Sequence, residues 1–139
     1  MPVAGYSGTP LATKLGIDEG STVALIGEPA GFLLELPPGV RVRRQARGRT
    51  DVVVAFVTKA ETLERRLDPL ASMVFPSGGL WIAWPKRSSG VVTDMTDDAV
   101  RRLALPRRLV DNKVCAVDAV WTALRLVWRR ELRSGKPPA

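Results

Sequence analysis

The chain contains no histidine. That absence excludes hydrolase triads, two-histidine metal sites and imidazole acid–base relays, because each needs a ring nitrogen that titrates near neutrality or ligates a metal. A single cysteine, Cys115, excludes an internal disulfide and any multi-cysteine zinc site, and it fits a reducing compartment. No apolar run approaches the roughly 18 residues of a membrane span. The start, Met1-Pro2-Val3-Ala4-Gly5-Tyr6, lacks a charged leader ahead of an apolar stretch, so a cytoplasmic protein with no membrane partner is expected. Any catalysis falls to carboxylates, lysine, tyrosine, the lone thiol or a cofactor. No residue pattern calls for a metal, and none names a cofactor.

What is present describes a globular chain. Its 139 residues are 45% hydrophobic and 25% charged, enough apolar material for one core. The expectation is one domain over residues 1–133, with 134–139 as a loose tail. Net charge is +7, mostly from arginine, a balance that attracts phosphate-rich partners. The Arg-over-Lys, Ala/Val/Pro-rich composition of a GC-rich genome explains the same excess at neutral surface positions.

Periodicity and punctuation divide the chain into alternating helices and strands. Thr9 as cap, Pro10 at the first helical position and Gly16 as stop predict a short first helix. Thr22 to Ile26 reads as a buried strand closed by Gly27, and Phe32 to Leu36 as at most a stub of helix. Val40 to Arg43 alternates like an edge strand, whereas Asp51 to Val57 is β-branched and apolar on both faces, as a central strand is. The intervening loop, Arg44 to Thr50, is shorter than the dozen or so residues a helical parallel crossover takes.

Further along, Thr58-Lys59-Ala60-Glu61 has the form of a capping box. It precedes a helix whose apolar stripe is Ala60, Leu63, Leu67, Leu70 and Val74. Leu80 to Trp84 is another buried strand. Thr96 with Asp97 and Asp98 opens a helix that ends near Pro106. Lys113 to Val117 and Thr122 to Arg130 are separated by too few residues for a crossover, so they form an antiparallel hairpin. The fold class is therefore α/β: a three-layer, Rossmann-like, mostly parallel sheet with a C-terminal antiparallel hairpin.

This order of elements resembles a pared-down S-adenosylmethionine-dependent methyltransferase fold. The segments Gly5-Tyr6-Ser7-Gly8-Thr9-Pro10-Leu11, Leu80-Trp81-Ile82-Ala83-Trp84-Pro85-Lys86 and Leu109 to Cys115, with Leu124-Arg125-Leu126-Val127, are similar to a bacterial domain-of-unknown-function family (number 3052). The likeness spans nearly the whole chain. It implies a compact stand-alone fold and transfers no catalytic residue.

Ligands of open α/β sheets bind beyond the carboxyl ends of the strands. That rim collects Gly27, Glu28 and Gly31 after the first strand, Thr58 after the central one, and Lys86, Ser88 and Ser89 after the tryptophan-bearing one. Two glycines permit close backbone approach, yet Pro29 removes an N–H donor between them. The second strand leads into Arg43 and Arg44, where a ribose-binding carboxylate is expected of an adenosyl site. Lys86 beside Ser88 and Ser89 suits an anion, and a solvated loop cation accounts for it as well.

Cys115 near Lys113 is either an activated thiol or a small core residue. Gly5-Tyr6-Ser7-Gly8 reads as a ligand-covering arm or as packing on the sheet. Arg41, Arg43, Arg44, Arg47 and Arg49 form the densest basic segment, without the interleaved aromatics of a single-strand binder. The leading expectation is a binding domain with a degenerate methyltransferase-like fold, its ligand an anionic small molecule or nucleotide. An RNA- or ribosome-associated protein, and a small enzyme with Lys86 holding an anionic substrate and Glu28 as base, are the alternatives.

Overall fold

The computed structural model describes residues 9–133. Its centre is a six-stranded sheet in the order β2-β1-β3-β4-β6-β5. The strands are β1 (Thr22–Ile26), β2 (Arg41–Arg43), β3 (Val52–Phe56), β4 (Gly79–Pro85), β5 (Leu109–Ala116) and β6 (Trp121–Trp128). β1 to β4 are mutually parallel, and β6 inserts antiparallel between β4 and β5. The expected mostly parallel sheet with a C-terminal antiparallel hairpin is what forms.

Every residue of β3 and β4 is buried, so both strands need cover on two faces. On one face lie α2 (Ala60–Met73) and α3 (Asp97–Ala104), bringing Leu63, Leu67, Leu70 and Val100 against Val53, Ala55, Leu80 and Ile82. On the other, α1 (Leu11–Lys14) and the segment over residues 32–40 cover Val23, Leu25, Val54 and Trp81. One indole bond ties each layer down. Trp81 Nε1 donates to the Leu15 carbonyl at 3.0 Å, and Trp128 Nε1 donates to the Ala71 carbonyl at 3.0 Å.

Three local expectations are corrected. Phe32 to Leu36 forms no helix; it runs extended with Phe32, Leu34 and Leu36 packed on the sheet. That is the two-residue period of extended chain, and Pro37 and Pro38 reinforce it, because a residue before proline avoids helical backbone. Thr9 does not cap α1, since Pro10 takes the cap position and no side chain bonds there. The Thr58–Glu61 capping box does not form either: Lys59 is the cap residue of α2, and Asp94, from the loop before α3, accepts the Ala60 N–H at 2.8 Å.

The short crossover resolves geometrically. Arg43 at the end of β2 lies level with Ala24 and Val52 at the start of β3 level with Val23, so the return covers only one residue's rise, about 3.3 Å, along the strand direction. Residues 44–51 cover that distance, and the sideways step past β1, without a helix. β2 lies at the sheet edge, as its alternation requires. Thr96 does cap α3, accepting the Ala99 N–H at 3.0 Å.

Leu67 is fully buried between α2 and the sheet. Leu67→Ala is expected to lower unfolding free energy by about 2–5 kcal/mol, read from the urea midpoint at unchanged slope.

Candidate functional site

All four parallel strands end at one rim, where β6 begins. After β1 the chain turns outward to β2 and then returns to β3 on the other side. The crevice between the ends of β1 and β3 is therefore the topological switch point, the usual ligand seat of such a sheet.

Among the described residues, the protein's own groups crowd the ends of these strands. Gly27 has φ +70°, and a Cβ on it would stand 3.0 Å from the Phe56 carbonyl oxygen, so its backbone already abuts β3. Phe32 meets Phe56 edge-on with ring centroids 5.0 Å apart, and Phe56 meets Trp121 edge-on at 5.1 Å. These three rings form a row along the ends of β1, β3 and β6. Beside them Arg44 clamps Glu28, Nε to Oε1 at 3.1 Å and Nη2 to Oε2 at 3.3 Å. Both carboxylate oxygens of Glu28 are engaged. Gly31, at φ +80°, turns the chain toward Phe32 and meets nothing itself.

Open space lies further along the rim. A cavity of about 490 Å³ sits between the end of β4 and the start of α3, walled by Trp84, Arg87, Val91, Val92, Asp94 and Met95. Its loop is fastened to α2: Thr93 Oγ1 donates to the Thr58 carbonyl at 2.6 Å and accepts the Met95 N–H at 3.0 Å, while Asp94 holds the Ala60 N–H. Met95 is buried, whereas Val91 and Val92 are 44% and 92% exposed. Arg87 is the only cation in the wall.

The residues singled out from sequence reach this rim without forming one cluster. Gly27, Glu28 and Gly31 belong to the crowded crevice. Thr58 anchors the cavity loop through its carbonyl. Lys86 donates from Nζ to the Asp118 carbonyl at 2.8 Å, and from its backbone N–H to Val120 at 2.7 Å, joining β4 to the β5–β6 turn. Ser89 donates to the Lys86 carbonyl and accepts the Val91 N–H, which shapes the loop, and Ser88 is exposed. None of these seven residues lines the cavity. The residues that do line it were passed over, although an exposed valine pair after Gly90, in a loop, was a visible signal.

The basic segment is divided. Arg44 is spent on Glu28, and Arg43 donates to the Arg49 carbonyl at 3.1 Å, closing its own loop. Arg41, Arg47 and Arg49 are exposed along the β2 edge, with no carboxylate partner among the described residues. Cys115 is buried, and desolvation pushes its thiol pKa up against the opposing pull of Lys14 and Lys113. It is a core residue. The Gly5–Gly8 arm and the tail from Ser134 lie outside the described residues. Among the described residues there is no group of three or more metal-ligating side chains, and no helix is long and apolar enough to cross a membrane.

No family model matches the chain, and no curated protein matches it. Solved structures do. An S-adenosylmethionine-dependent methyltransferase from Aquifex aeolicus superposes with a TM-score of 0.59 at 15% identity, over 84% of this chain and 86% of that one. The magnesium protoporphyrin IX methyltransferase from Synechocystis PCC 6803, with bound S-adenosylhomocysteine, gives 0.55 at 13% identity, over 79% and 74%. These likenesses establish a methyltransferase-like Rossmann fold.

Asp94 joins the cavity loop to the first turn of α2. Asp94→Ala is expected to cost about 1 kcal/mol in chemical denaturation, and Asp94→Asn to recover most of it, since asparagine also accepts from helix N–H groups.

Proposed function

We propose that the chain is a non-catalytic ligand- or partner-binding domain on a degenerate methyltransferase-like fold. Its seat is the rim cavity between β4 and α3 rather than the β1–β3 crevice. The observation that carries this reading is the crowded switch point. An adenosyl group entering there must displace the Phe32–Phe56–Trp121 row, whose edge-to-face pairs contribute about 0.5–1.5 kcal/mol each beyond the area they bury. It also meets Arg44 at the end of β2, where a ribose would need a carboxylate. Glu28, the nearby acid, has both oxygens bonded to that arginine.

The same bonds weigh against a small enzyme built on Glu28 and Lys86. Glu28 is held against Arg44, and one N–H of the Lys86 ammonium is held by a backbone carbonyl, so each side chain already serves a contact within the protein. The likeness of short collinear segments to the domain-of-unknown-function family adds a compact fold to this reading and no reaction. In the rim cavity, Val91, Val92 and Met95 suit an apolar body, and Arg87 suits a polar or anionic end, so the ligand class is an amphipathic small molecule or a short peptide segment.

Saturating S-adenosylmethionine is expected to leave the melting temperature unchanged, whereas a ligand at 100 times its dissociation constant would add about 2.7 kcal/mol. No labelled methyl group should reach any acceptor offered. In a fragment screen by amide NMR, shifts should gather at Val91 to Asp97. A rise of several degrees with the methyl donor, or fragment hits gathered at Gly27 to Gly31, would overturn the proposal.

A further inference from the structure

The basic segment around β2 is fixed on one side of the sheet. Val42 packs on the face covered by α1 and residues 32–40, so Arg41 and Arg43, its neighbours on the strand, project onto the α2 face. There Arg43 lies beneath the loop that follows. Its Nη1 donates to the Arg49 carbonyl at 3.1 Å, and a Cβ on Gly48 would stand 2.5 Å from that nitrogen. Thr50, the one buried polar or charged residue among those described, donates from Oγ1 to the Gly48 carbonyl at 2.9 Å. Its N–H donates to the Met73 carbonyl at 2.7 Å, at the end of α2. The loop carrying Arg47 and Arg49 is thereby pinned to the α2 side of the sheet edge.

α2 adds a fifth guanidinium. Leu63, Leu67 and Leu70 face the sheet, and Arg107 bonds Asp68 and the Glu64 carbonyl on the flank turned toward α3, which lies over β5 and β6. At 3.6 residues per turn, Arg66 stands on the other flank, the one turned toward β1 and β2. Arg41, Arg43, Arg47, Arg49 and Arg66 are all exposed. Among the described residues none of the five has a carboxylate within ion-pair distance, and the sequence from Leu36 to Thr50 contains no acid.

We propose that the step between the β2 edge and α2 binds the phosphodiester backbone of a nucleic-acid duplex without reading its sequence. The guanidiniums are strung along a strand, a loop and a helix rather than converged on one point, which suits a row of phosphates and not a single one. β2, its loop and α2 contain no aromatic residue on which an unpaired base could stack, so a paired backbone fits better than a single strand. A flat bilayer would meet α2, about 10 Å across, before it reached the strand beside it. Cations gathered without a counter-charge repel one another, and a polyanion supplies the missing charge. The surface shares no residue with the rim cavity, so either can fail without the other.

The test is fluorescence anisotropy of the full chain with labelled duplexes of mixed sequence, one DNA and one RNA, over about 50–200 mM salt. Log affinity should fall linearly with log salt at a slope of about −4. Arg47→Gln and Arg66→Gln alter exposed side chains, so each should keep the melting temperature, weaken binding several-fold and reduce that slope by about 1. Arg130→Gln, exposed beyond the end of β6 at the other side of the sheet, removes the same charge and should leave the slope unchanged. Similar affinity for both duplexes marks the shared backbone as the ligand; strong preference for one assigns the source to DNA or to RNA. Absence of binding at the lowest salt, a loss in Arg130→Gln as large as in the other two variants, or capture by phosphatidylserine vesicles in place of either duplex overturns the proposal.

Discussion

The whole arrangement depends on two strands that tolerate no water. β3 and β4 are buried along their full length, and a strand with apolar side chains on both faces is stable only between two covering layers. On one side the cover is regular: α2 and α3 present leucine and valine stripes at helical spacing. On the other it is economical, a single turn-length helix followed by an extended segment whose alternate residues pack like a strand. The two indole N–H bonds, Trp81 to Leu15 and Trp128 to Ala71, fix those layers to the sheet at the cost of no exposed group.

Economy on that second side has a consequence at the rim. Where a helix after β1 would leave a glycine-lined mouth, the extended segment returns close over the strand ends and sets Phe32 against Phe56. Trp121 closes the row from the hairpin. Among the described residues, these rings pack at the ends of the strands, and a cavity opens on the far side of β4. The architecture is that of a methyltransferase-like Rossmann fold.

Charge follows a similar division. Arg101 pairs with Asp97 and Asp98 within α3 and with Asp111 of β5, and Arg107, just after α3, pairs with Asp68 of α2. Surface pairs of this kind contribute little each, and their role is mainly to fix geometry. Other cations, on the β2 edge and on the hairpin, have no such partner among the described residues.

The sequence alone determined the class of fold. Uninterrupted apolar runs at Val52–Phe56 and Leu80–Trp84, the stripe Leu63-Leu67-Leu70 and the short gap before Trp121 are local signals, each produced by burial acting on neighbouring residues. The missing histidine excluded, from residue type alone, any chemistry that needs an imidazole. Caps and seats were different. Asp94 replaces the Thr58 capping box from 34 residues away, and Arg44 forms an ion pair with Glu28 across the ends of two strands. The aromatic row draws on three separate elements. Such contacts join residues that chain spacing does not relate, so tertiary packing alone decided which rim residues stay free and where the cavity opens.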